Sequence, residues 1–366
     1  MNRFLIDRVT GRDNNLNLIR MVAAVCVMVS HTFPLALGVG TAEPLEHATG
    51  RSLGTFAVWV FFYISGFLVS QSYDRQRSVS RWIVARVSRL YPGLFVALVL
   101  TVLVLGPSVT ALPLNEYLLS PATWTYFPGN LSLYFSQHRL PGVFESVPFT
   151  IVVNGSLWTL FYEVCCYGGV LIVGVIGFLH RQRYFNVVLV CFGALYIVGQ
   201  MGWIKPLPLI GSRLEILLVL AFPFLLGMAT YVYRDRLRLD WRVAAALWAL
   251  GVAVFAFAAA IEVLLVALSY TVLVVAYLPR GKILAYNRLG DYSYGTYIYA
   301  FPVQQLVEFV GPTSDWRLNL ALSLPITLAF AVLSWKFVEQ PGLKIGKDVS
   351  AWLDARRDKG RRVSVC

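Results

Sequence analysis

Five ionisable side chains interrupt long apolar stretches of this sequence, and their types and spacing suit acid–base chemistry beside a bound anion: Arg20, His31, Arg86, Arg89 and Glu163. Glu262 and Lys336 lie nearer the ends of such stretches. In a helix, Arg20 and His31 are almost three turns apart, so both project from one face about 16 Å apart along its axis. Arg86 and Arg89 are one turn apart and share a face. Three guanidinium groups toward the same end of their helices suit a phosphate-bearing ligand. His31 and Glu163 reach similar depths if their helices enter from opposite directions. There His31 would take a proton from an attacking hydroxyl, while Glu163 orients the ring or steadies the imidazolium. Plainer roles stand beside these: an interhelical hydrogen bond for His31, snorkelling to headgroups for Arg86 and Arg89, and a structural salt bridge for Glu163. His47, His138 and His180 have no metal-ligand spacing and read as structural or solvated. Cys26, Cys165, Cys166, Cys191 and Cys366 likewise predict neither a metal site nor a structural disulfide.

The elements that must hold these groups follow from composition. Of 366 residues, 58% are hydrophobic and only 14% charged, more apolar surface than a soluble core of this size would bury. The fold class predicted is an all-α integral membrane protein. Stretches long enough to span occur near 16–36, 53–72, 82–106, 156–178, 184–203, 213–233, 243–260, 262–279, 290–311 and 318–340, giving about ten transmembrane helices. The seventh and eighth share one apolar run that must divide around Ala260 and Ile261.

Charge supports that division. Most Lys and Arg then fall on the side of the N-terminus, with only Arg51, Arg139, Lys205, Arg213 and Arg317 opposite, so both termini are predicted cytoplasmic. The net charge of +12 is explained by this clustering rather than by nucleic acid, which is excluded as a partner. The first apolar stretch follows Arg3, Arg8 and Arg12 without a small-residue cleavage site and reads as a retained helix. Residues 1–341 form the membrane domain and 342–366 a basic cytoplasmic tail. The connection 107–155 falls outside the membrane opposite the termini; its Trp124, Tyr126, Phe127, Tyr134 and Phe135 either pack at the interface or line an acceptor cleft.

Five motifs, in order, carry a resemblance over nearly the whole chain. NLNLIRMVAAVCVMVSH holds Arg20 and His31; FFYISGFLVS holds Ser65 and Gly66; ARVSRLYPGLFVAL holds Arg86, Arg89, Tyr91 and Pro92. NGSLWTLFYEVCCY holds Asn154, Trp158 and Glu163, with Thr159 where a serine is usual, and LGDYSYGTYIYAFPV with FVEQP closes the series. The chain resembles the membrane acyltransferase family 3, O-acyltransferases of bacterial surface and secreted sugars. It departs at Ala300, where many relatives have a histidine, and it carries no room for the hydrolase-like domain of some relatives.

The resemblance implies transfer of an acyl group, most often acetyl, from acyl-CoA to a sugar hydroxyl of a surface or secreted glycan or lipid-linked oligosaccharide. It implies a bacterial inner-membrane location, with His31 and Glu163 catalytic. Arg20, Arg86 and Arg89 would bind the donor acyl-CoA, a co-substrate and not a resident cofactor. Ser65, Tyr91, Asn154 and Trp158 would contact substrate. Oligomeric state is not predicted. Two other functions compete: an exporter of a sugar or small acid working by alternating access, and an assembly subunit of a polysaccharide export complex. Neither requires both His31 and the arginines, and no internal repeat supports the exporter.

Overall fold

A computed structural model of the chain describes residues 4–9, 11, 13–76, 78–207 and 210–363, with side chains described to residue 356. Arg3, Arg12, Arg77 and Cys366 lie outside the described residues. Ten helices occupy the ten expected stretches: α1 (Leu16–Leu37), α2 (Leu53–Gln76), α3 (Val79–Leu100), α4 (Trp158–Val175), α5 (Gln182–Gln200), α6 (Gly211–Val232), α7 (Trp241–Ala258), α8 (Ile261–Tyr277), α9 (Ser293–Val310) and α10 (Trp316–Ser334). An eleventh, α11 (Gln340–Val363), follows through a π-helical turn at Trp335–Glu339. The described residues contain no strands, only two isolated bridges. By length and composition eight helices can cross a membrane, and nine if α8 is joined to the 3-10 turn Gly281–Arg288, bent from it by 91°. The chain is an all-α, multi-pass membrane protein.

The apolar run between α7 and α8 divides where expected. Ala259 takes φ 51, a left-handed residue that ends α7, and α8 begins two residues later. At the other end, the Asp240 carboxylate caps α7 by accepting the Arg242 backbone N–H at 2.9 Å.

The chain forms two compact units. The first holds Met1–Ala23, Thr55–Arg75 and Tyr162–Gly290. In it α7 pairs with α8, α5 with α6, and α6 with α8. Gly66 and Gly227 let α2 and α6 approach backbone to backbone: a Cβ at Gly66 would clash with the Phe224 carbonyl, and one at Gly227 with the Tyr63 carbonyl. Small residues at such crossings give membrane helices the van der Waals contact that lipid cannot supply by hydrophobic exclusion.

The second unit holds Ala24–Gly54, Gln76–Phe161 and Asp291–Cys366. Its centre is α9, buried continuously from Ser293 to Gln305. That burial explains why α9 carries Thr296, Gln304, Gln305 and Glu308 and falls short of the apolarity of a lipid-facing span: its polar groups are satisfied by protein. Glu308 accepts from Asn319 Nδ2 at 2.7 Å and from the Thr313 backbone N–H at 2.9 Å. Helices α10 and α3 pack on α9, and α11 lies along α3. The segment 342–363 is therefore helical, with its first turns seated against α3 through Gly342 on Pro92 and Gly346 on Ser88.

The connection from α1 to α2 contains a buried carboxylate. Glu43 is 3% exposed and accepts the backbone N–H of Leu53, the first residue of α2. Burial raises its pKa above the ordinary 4.5; the Leu53 N–H and the Ser30 hydroxyl pull it down, and Glu46 pushes it up. Because the folded state then binds the proton more tightly than the unfolded one, this group's contribution is fully present below 4.5 and is lost as pH rises through the raised value. Thermal unfolding of Glu43→Gln in detergent is expected to show a flatter decline over that window than the parent. Superimposable profiles would remove Glu43 as a source of pH dependence.

Candidate functional site

Within the first unit, two sequence motifs meet at a carboxylate. Glu163, five residues into α4, accepts a hydrogen bond from Ser65 Oγ of α2 at 2.9 Å and one from Tyr167 OH at 2.5 Å. Tyr167 is one turn along α4 from Glu163, so both face α2 together. Ser65 Oγ and Tyr167 OH are 3.5 Å apart, closing a triangle of polar groups. Ser65 can hold this place because Gly66 beside it lets α2 pack against α6. Glu163 is thus held by hydroxyl donors, and no salt bridge to it occurs among the described residues. The carboxylate is partly accessible and keeps lone pairs for a further donor.

Within the second unit, three motifs converge on His31. Its ring meets Phe301 of α9 edge-on, with centroids 5.3 Å apart. Phe301 is seated against Gly155, where a Cβ would come within 2.6 Å of its ring. Next to it, Pro302 supplies no N–H to the carbonyl of Ile298 one turn earlier. Asn154 replaces that donor: its Nδ2 binds Ile298 O at 2.9 Å, and its Oδ1 accepts from Ser156 N at 3.0 Å. The Asn-Gly pair therefore completes and fits the Phe-Pro pair, and both polar ends of Asn154 are engaged. One turn from His31 along α1, the Met28 carbonyl accepts from Gln304 Nε2 at 2.8 Å. His31 Nδ1 and Gln304 Oε1 are both buried and find no hydrogen-bond partner among the described residues. The helices α1 and α9 thus present a half-buried imidazole whose enclosed Nδ1 is not committed to a partner among the described residues.

The arginine pair on α3 divides in role. Arg89 forms an ion pair with Asp291 at 2.5 Å and lies 3.9 Å from the Glu339 carboxylate, with Tyr294 and Trp335 rings at 5.9 and 5.8 Å from its guanidinium carbon. Asp291 also accepts from Ser293 Oγ at 2.5 Å, and Glu339 from Ser334 Oγ at 2.9 Å. Tyr294 OH donates to Leu90 O at 2.8 Å, fixing α9 to α3 at this level. The charge of Arg89 is therefore balanced inside the fold. Arg86, one turn earlier, and Arg20 on α1 are half-buried. Tyr91 is half-buried on α3, and Trp158, 39% exposed, opens α4.

His31, Arg86, Arg89, Tyr91, Asn154 and Trp158 belong to the second unit, and Arg20, Ser65 and Glu163 to the first. The contacts within each unit are Ser65 with Glu163, and the Asn154–Phe301–His31 succession. Sequence reasoning missed Asp291, Glu339, Gln304, Tyr167 and Glu43. Tyr167 was findable from its position one turn after Glu163. Asp291 and Glu339 stood in quoted motifs, LGDYSYG and FVEQP, as carboxylates without an assigned partner.

Comparison with known proteins agrees with these motifs. The acyltransferase domain family matches residues 13–336. The chain is 30% identical over 357 residues to the O-acetyl transferase of Shigella phage Sf6, covering 90% of this chain and 96% of that protein. It is also 30% identical over 374 residues to Nodulation protein 10 of Rhizobium leguminosarum bv. viciae, covering 92% and 95% respectively. No solved structure matches it significantly. A match over nearly all of the ten-helix region, to a family profile and to two relatives alike, shows the family: the chain belongs to the membrane acyltransferase family 3 and is an O-acyltransferase.

Proposed function

We propose that this O-acyltransferase moves an acetyl group from acetyl-CoA to a sugar hydroxyl of a surface or secreted glycan, such as lipopolysaccharide, exopolysaccharide or a lipid-linked oligosaccharide, in a bacterial inner membrane. Both ends of the chain would face the cytoplasm, as the charge asymmetry predicts. The observation that carries the reading is the enclosed Nδ1 of His31, unpartnered among the described residues, in a chain whose relative is named an O-acetyl transferase. A buried polar group left unsatisfied by the fold is retained at a cost, and a reacting partner accounts for it.

In the proposed reaction, His31 takes the proton of the acceptor hydroxyl as its oxygen bonds to the thioester carbonyl carbon. The carbon–sulfur bond then breaks, and the departing CoA sulfur takes the proton back from the imidazolium. Glu163, set by Ser65 and Tyr167, is the second catalytic group. Arg86 and Arg20 would bind the CoA phosphates. Arg89 carries a balanced charge, so its part is to brace α3 beside Arg86. Ser65, Tyr91, Asn154 and Trp158 remain with the substrates, Asn154 acting through the α9 backbone it completes.

The test is transfer of label from acetyl-CoA to candidate glycans by the purified protein in detergent. The parent protein should acetylate at least one glycan, and Glu163→Gln should do so about 10²-fold or more slowly. A folded Glu163→Gln protein at full rate would remove Glu163 from the chemistry; label transfer from no acyl-CoA at all would remove the donor assignment.

A further inference from the structure

Away from the residues above, the first unit contains a groove of about 270 Å³ on α6, α7 and α8. Leu226, Leu237, Leu247, Val266 and Leu273 make its walls apolar. One polar atom in the wall stands out. Ser269 is 5% exposed, and its hydroxyl has no hydrogen-bond partner. A helical Ser or Thr ordinarily bonds back to the carbonyl one turn earlier. The neighbours do so: Thr271 Oγ1 donates to Ala267 O at 2.8 Å and Thr230 Oγ1 to Leu226 O at 2.9 Å. Ser269 Oγ, enclosed in the wall, is therefore uncommitted to any partner among the described residues.

Through Leu237 the groove's lining reaches a cationic connection. Between α6 and α7 the chain carries Arg234, Arg236, Arg238 and, in the first turn of α7, Arg242; the last three are exposed. The nearby carboxylates are engaged. Asp235 accepts from Gln182 Nε2 at 2.8 Å, and Asp240 caps the Arg242 backbone N–H. Tyr270, the residue after Ser269, reaches this connection, its hydroxyl donating to Arg238 O at 2.7 Å and accepting from Asp240 N at 3.1 Å. Ser269 is thus one residue from the tyrosine that holds the backbone of the arginine-bearing connection. Trp241, 51% exposed, marks the same level as a membrane interface.

We infer that this groove is a binding site for an anionic glycerophospholipid. One acyl chain fills the apolar walls, an ester carbonyl accepts the Ser269 hydroxyl, and the phosphate meets Arg236 and Arg242. Apolar walls, a donor just below the headgroup level and a basic rim are the three features such a lipid presents in complement, and basic pockets between membrane helices select anionic headgroups. The site is independent of the acyl-transfer reading.

Native mass spectrometry of the full chain released from detergent, offered phosphatidylglycerol or phosphatidylcholine of the same acyl composition, tests it. Phosphatidylglycerol should be retained over phosphatidylcholine by about tenfold, and Arg236→Gln with Arg242→Gln should abolish that preference. Ala229→Trp, which fills the groove, should lower retention of both lipids. The arginine variants alter only exposed side chains, so they decide the matter even where the tryptophan variant fails to fold. Equal retention of the two lipids by the parent, an unchanged preference in the double variant, or stronger retention of a polyisoprenyl phosphate than of phosphatidylglycerol would each overturn the inference.

Discussion

Replacing His31 with alanine or glutamine should lower acyl transfer by about 10²–10⁴-fold, the range by which a positioned general base accelerates proton transfer. The loss is expected in kcat, with KM for acetyl-CoA close to that of the parent, because the imidazole acts on the hydroxyl and not on the CoA phosphates. The ring meets Phe301 edge-on and its Nδ1 holds no partner among the described residues, so thermal unfolding in detergent should move little, least of all for glutamine. A purely structural histidine predicts the reverse: lower stability with a near-normal rate in the surviving folded fraction. Single-turnover measurements on both variants separate these outcomes, and full activity in His31→Ala would sink the mechanism.

The largest expected effect on stability belongs to Arg89. Removing it strands Asp291, whose side chain is 8% exposed, and Glu339, 1% exposed, without their cation. Breaking one partner out of a buried ion pair costs about 3–5 kcal/mol, because the remaining charges keep their desolvation penalty. Arg89→Ala should therefore unfold at markedly lower temperature, while Arg86→Ala should bind acetyl-CoA more weakly. Equilibrium binding of acetyl-CoA beside the melting curves makes the comparison. A normal melting temperature in Arg89→Ala, or unchanged donor affinity in Arg86→Ala, would count against this division between neighbouring arginines.

Which parts of this arrangement were legible beforehand follows from the range of the forces involved. Helix positions were readable because apolar length is a local property, and even the α7–α8 division at Ala259 followed from charge bookkeeping along the chain. The order of motifs pointed to Ser65, Asn154, Glu163 and His31. What each touches was not readable: the Ile298 carbonyl that Asn154 satisfies is 144 residues away, and the carboxylate on Arg89 is 202 residues away. Arg89 therefore read only as a cation for a phosphate, because the carboxylates it pairs with lie far along the chain. Helix α9 also reads as an ordinary span, although its Gln304, Gln305 and Glu308 belong to a protein interior. Nothing local distinguishes a polar residue that faces lipid from one that faces another helix.

From Trp316 to Arg356 the chain runs as a single helix of 41 residues. At 1.5 Å per residue it measures about 60 Å, twice the hydrocarbon thickness of a bilayer. Its far end extends beyond that thickness, held along α3 by Gly346 over Ser88 and by the Arg81–Asp354 bridge at 3.2 Å. That gives a largely buried protein a stiff external handle joined to the helix carrying Arg86 and Arg89. An antibody fragment gripping it would provide a landmark for particle alignment in electron microscopy, and a spin label there would report any tilt of those arginines during turnover.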